Sequence, residues 1–105
     1  MIKTVINYVE KELTAAEEYV ESAYMKKAHC PTTADLFLSL AGEELVHAER
    51  LIRQGQSLAD KLRPAKDSES YEHDLKCMAV WEWSKEKATA RIARLKAEMS
   101  GYKLL

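Results

Sequence analysis

The sequence predicts an all-α protein of three long amphipathic helices that run up, down and up, and three observations carry that prediction. Apolar residues recur at alternating steps of three and four, the period of one helix face, over stretches far longer than a strand. Only 3 glycines and 2 prolines occur in 105 residues, too little turn material for a many-stranded fold. Both prolines, Pro31 and Pro64, fall where a periodic stretch ends.

The first helix is expected over residues 2–28, from the stripe Ile2, Ile6, Val9, Leu13, Ala16, Val20 and Ala23. Pro31 disfavours helical geometry at Cys30 and lacks a backbone donor, so the helix stops before it. Thr32 or Thr33 then supplies a hydroxyl to cap a second helix over residues 33–62. That helix carries two adjoining stripes: Phe37, Leu40, Glu44, His47 and Leu51, beside Leu38, Ala41, Leu45, Ala48 and Ile52. A stripe this wide calls for more than one neighbour. Gly42 and Gly55 are tolerable weak points in it, and Pro64 closes it.

A short polar linker from Arg63 to Glu69 leads to the third helix, residues 70–100, capped from within Asp67 to Ser70 and stopped by Gly101. Its apolar positions are Leu75, Met78, Ala79, Trp81, Ala88, Ile92, Leu95 and Met99, with Tyr102 to Leu105 expected as a frayed tail. Trp81 and Trp83 cannot both face one core, so one is expected to serve an intermolecular contact. Helices of this size are about 40 Å long. A seven-residue linker reaches roughly 25 Å at most, so each helix must reverse on the one before. Three such rods in one domain, residues 1–105, make a slender core, and a second copy of the chain is expected to complete it.

Positive and negative side chains nearly cancel, 16 against 17, which disfavours nucleic acid and anionic membranes as partners. The basic run Lys85, Lys87, Arg91, Arg94 and Lys96 is diluted by other residues and reads as a solvated face. No stretch has the length of a signal peptide or a membrane span, so a cytoplasmic protein is expected. Cys30 and Cys77 are too few and too far apart for a disulfide scaffold or a thiolate site, and read as reduced packing or surface residues.

The chemistry is expected on the second helix. Glu44 and His47, three residues apart, share the stripe of Leu40 and Leu51 and should point inward, where a carboxylate requires a cation, a hydrogen-bond network or a proton. With the interhelical turn centred between Cys30 and Pro31, Glu44 lies level with Glu17, flanked at helical spacing by Leu13, Val20 and Tyr24. Tyr24 either reaches the same site or fills the core. Glu86 counts out level with His47 across the second turn, as an outer partner or an ordinary surface ion pair with Lys85.

The segment Glu43-Glu44-Leu45-Val46-His47-Ala48-Glu49-Arg50-Leu51 resembles the Glu-x-x-His helix of ferritins and rubrerythrins. In that family it follows a helix bearing a Glu and, seven residues on, a Tyr, as Glu17 and Tyr24 stand here. The resemblance spans residues 10–55 and implies an iron-binding helix pair with Glu17, Glu44 and His47 as ligands, Glu44 bridging two metals. One such pair, with no long crossover, is similar to half-length ferritin-like proteins, including encapsulated ferritins, which build a four-helix bundle as homodimers. Two copies would supply four Glu and two His, a shell suited to iron and acceptable to manganese or zinc, with oxidation of ferrous iron as the expected reaction. Two other readings compete with it. One is a non-enzymatic interaction module using the wide stripe and the tryptophans. The other is a ferritin-like scaffold without metal. Separately, the alternative to a metal at Glu44 and His47 is a core imidazole bonded to Glu17 or Glu44 that stabilises the hairpin.

Overall fold

The computed structural model describes residues 1–62 and 64–104. Arg63, the first residue of the expected linker, and Leu105, the last of the expected tail, lie outside the described residues. Those residues form three α-helices and no strand: α1 (Ile2–Lys26), α2 (Pro31–Asp60) and α3 (Tyr71–Leu104).

α1 buries Val9, Leu13, Ala16, Val20 and Ala23 of the face its periodicity marks out, but at its start Val5, which that stripe omits, is buried while Ile2 and Ile6 pack only at the edge. It stops two residues earlier than expected. The Cys30 N–H returns to the Lys26 carbonyl at 2.8 Å, and Cys30, constrained by the following proline, takes φ −140° and ψ 72°. α2 then opens on Pro31 itself. A proline suits the first helical position because its missing donor would find no partner there anyway, so neither Thr32 nor Thr33 caps the helix.

The face α2 turns to the core is the second of its two stripes. Ala34, Ala41, Leu45, Ala48, Gly55 and Ala59 are buried, whereas Phe37, Leu40 and Leu51 are half-buried. Most of the buried residues are alanine or glycine, and such small side chains let α1 and α2 approach closely along their length. Either of them packs far more sparsely against α3. Tyr19 stacks on Phe37 across the α1–α2 pair, ring centroids 6.1 Å apart.

α3 starts after Ser70, whose carbonyl accepts from the Asp74 N–H at 2.8 Å. It contributes Trp81, Ala88, Ile92, Leu95 and Tyr102 to the core, while Leu75 and Ala79 stay exposed. Trp81 is 1% exposed and Trp83 61%, so the two tryptophans do face opposite ways. The Trp81 indole lies directly over Gly55, where a Cβ would collide with the ring. Its Nε1 donates to Gln56 Oε1 at 3.0 Å, an oxygen that Lys85 Nζ also reaches at 2.6 Å.

The expected frayed tail is helical as far as Leu104, and Gly101 does not stop it. The cause is Tyr102, which is buried against Ala23 and Ala34 with Phe37 and Leu38 around it. Its ring meets Tyr24 edge-on at 5.5 Å, its hydroxyl donates to Asp35 at 3.3 Å, and Lys27 Nζ sits 4.1 Å above it. Burying an aromatic residue outweighs the helix penalty of about 1 kcal/mol for one glycine. The whole is a slender rod, 63 × 18 × 16 Å, with a radius of gyration of 17.4 Å. A spherical domain of this length would show about 13 Å.

Candidate metal centre

Glu44 and His47 project together from α2, as their spacing requires, and His47 turns its Nδ1 toward Glu44 Oε1 at 3.9 Å. The acid that meets them from α1 is Glu12, whose Oε2 lies 3.6 Å from the same Nδ1. One ligand atom from each of Glu12, Glu44 and His47 falls within 4.8 Å of the others. First-row metals bind such atoms at about 2.0–2.2 Å, which sets edges of roughly 3.0–3.5 Å between ligands, so small side-chain rotations close this group on an ion. Two carboxylates this close repel one another, and a cation between them relieves the repulsion.

The group is not buried as the sequence led one to expect. The His47 side chain is 50% exposed, Glu44 23% and Glu12 26%. The physical reason is the choice of core stripe: Ala41, Leu45 and Ala48 occupy the α1–α2 contact, leaving the Phe37 to Leu51 stripe on the rim. The three donor groups therefore sit where ions in solution can reach them.

Glu17 is held elsewhere. Arg91 donates to its two oxygens at 2.6 and 3.4 Å and Arg94 donates at 3.1 Å, while Arg91 also donates to Glu10 at 2.6 Å. The Arg91 hydrogen bonds hold the Glu17 carboxyl below its ordinary range against the opposing effect of partial burial, and Arg94 adds to them. The same contacts, Glu17 first, raise Arg91. Tyr24 is likewise turned to α3, its hydroxyl donating to the Glu98 carbonyl. Glu86 is exposed on α3 and outside the three-residue group, and Lys85 pairs with Glu82 at 3.3 Å.

The exchange of Glu17 for Glu12 follows from the turn. With α1 ending at Lys26 and α2 beginning at Pro31, the link between them centres near residues 28 and 29, about two positions before the Cys30–Pro31 junction. Moving the centre by two moves the level partner by four, about one helical turn. A signal for Glu12 was present: Tyr19 follows it by seven residues, the same spacing as Tyr24 after Glu17. Tyr8 and Ala15 stand at helical steps on its face as well.

No protein-family model, no curated protein and no solved structure matches this chain.

Proposed function

We propose that this chain is a half-length ferritin-like protein that binds iron at the rim of its α1–α2 pair through Glu12, Glu44 and His47. The observation that carries the reading is the convergence of two carboxylates and an imidazole nitrogen from two helices on one solvent-accessible point. Oxygen and nitrogen donors of this kind suit ferrous iron, and manganese or zinc as well. Bound iron would supply one-electron chemistry, with dioxygen as the acceptor in a ferroxidase reaction. The chain's own part is to fix the two carboxylates, to present His47 through Nδ1 and to leave open positions.

In this reading the helices run up, down and up. The pairs Tyr19 with Phe37, Lys96 with Glu49 and Tyr24 with Glu98 support that order. The half-exposed stripe Phe37, Leu40 and Leu51 then packs against the same stripe of a second copy, making a four-helix bundle whose site is shared across a two-fold axis.

The test loads the purified full-length chain with ferrous iron under nitrogen, measures bound metal by elemental analysis, and then admits oxygen. Retained iron that Glu12→Ala, Glu44→Ala and His47→Ala each abolish, with helicity unchanged, is the expected result. Absence of metal at any stoichiometry overturns the reading. A second reading, a helical interaction module, is favoured by Trp83 and Val80, 61% and 51% exposed on α3. It requires that a Glu12→Gln, His47→Gln double variant keep full function.

A further inference from the structure

At the start of α3 the imidazole of His73 and the thiol of Cys77 stand one helical turn apart, with Nε2 and Sγ separated by 3.5 Å. A spacing of four places both side chains on one helix face, within reach of one another through their own rotamers. A tetrahedral ion bound at about 2.3 Å to sulfur and about 2.05 Å to nitrogen holds those two atoms roughly 3.5 Å apart. The gap between the two side chains is therefore already the edge of such a coordination sphere.

We propose that His73 and Cys77 form a chelate for a borderline-soft divalent cation of the zinc class. The site is separate from Glu12, Glu44 and His47 in place and in chemistry, because one of its two donors is sulfur. Neutral His73 donates through Nε2, its ring proton residing on Nδ1. Cys77 gives its thiol proton to solvent as the sulfur–metal bond forms, and water fills the remaining positions. His73 is exposed and Cys77 half-buried, which leaves an entry path. The Ser70 hydroxyl bonded to Asp74 at 3.1 Å ties down the helical turn from which both ligands arise. Cys77 thus acquires a role beyond packing, through a partner that the two-cysteine count leaves out of view.

Cobalt(II) added to the reduced full-length chain is the probe, since ligation by a thiolate gives a near-ultraviolet charge-transfer band that carboxylate and imidazole ligands do not. The wild-type chain and Cys30→Ser are expected to show the band, and zinc to displace it. Cys77→Ser and His73→Gln are expected to lose it at the same cobalt concentration, with their helical circular dichroism retained. No band in the wild-type chain, a band that survives Cys77→Ser or is unchanged in His73→Gln, or a band that Cys30→Ser abolishes, overturns the proposal.

Discussion

Glu12 and Glu17 lie five residues apart on α1, which turns them to different neighbours: Glu12 to His47 of α2, Glu17 to Arg91 and Arg94 of α3. Their expected phenotypes separate accordingly. Glu12→Gln should abolish metal uptake and change the denaturation midpoint little. Glu17→Gln should keep metal uptake, measured by the same elemental analysis, and lower stability. Glu17 also carries a pH dependence whose sign is fixed. Its carboxyl is depressed in the folded chain from an ordinary value near 4.5. The stability it contributes is therefore present above that value and is lost as pH falls from there through the folded value. Urea midpoints measured from pH 6 downward should fall less steeply below pH 4.5 in Glu17→Gln than in the parent chain. The Arg91 and Glu17 side chains are partly exposed, so added salt should weaken the contribution.

The three helices were legible in the sequence because their period is strong and their breaks carry proline. The buried face of α1 from Val9 to Ala23 is the one its spacing indicates, and only its first turn, where Val5 is buried in place of Ile2 and Ile6, differs. The register between α1 and α2 was less legible, since it hangs on two residues at the end of α1 and two at the start of α2, and helix ends are the least readable part of any helix. That shift is what replaced Glu17 by Glu12 beside Glu44. The end of α3 was hidden for another reason. Gly101 is a stop signal locally, and only the distant Tyr24, Ala34 and Asp35 make a helical Tyr102 worthwhile. Replacing Tyr102 by alanine should cost roughly 3 kcal/mol in chemical denaturation, the typical loss for a buried aromatic. Two glycines of α2 should respond with opposite signs. Gly55→Ala drives a methyl into the Trp81 ring, an overpacking cost of about 2 kcal/mol that exceeds the roughly 1 kcal/mol alanine gains over glycine in a helix. At Gly42 the new methyl meets Met99 Cε at 3.7 Å, an ordinary contact, so Gly42→Ala should raise the thermal midpoint.

At the scale of the whole molecule the rod has one closely packed pair, α1 with α2, and one sparsely attached helix, α3. The side of the pair bearing Leu40, Glu44, His47 and Leu51 is only partly covered, and the proposed second copy would cover it. Sedimentation equilibrium should give twice the chain mass, and Leu40→Lys on that side should return it to the monomer value with helicity intact. No helix of the described residues is long and apolar enough to cross a membrane.

The seat of Trp81 on Gly55 has an optical consequence. Both fluorophores of the strong near-ultraviolet emission belong to α3, one sealed at the contact with α2 and the other in water two residues away. A dissolved quencher such as acrylamide should extinguish Trp83 first and leave a blue-shifted remainder from Trp81. When α3 leaves the pair, that remainder should turn red and become quenchable, so the native chain reports the detachment of its own third helix without a label.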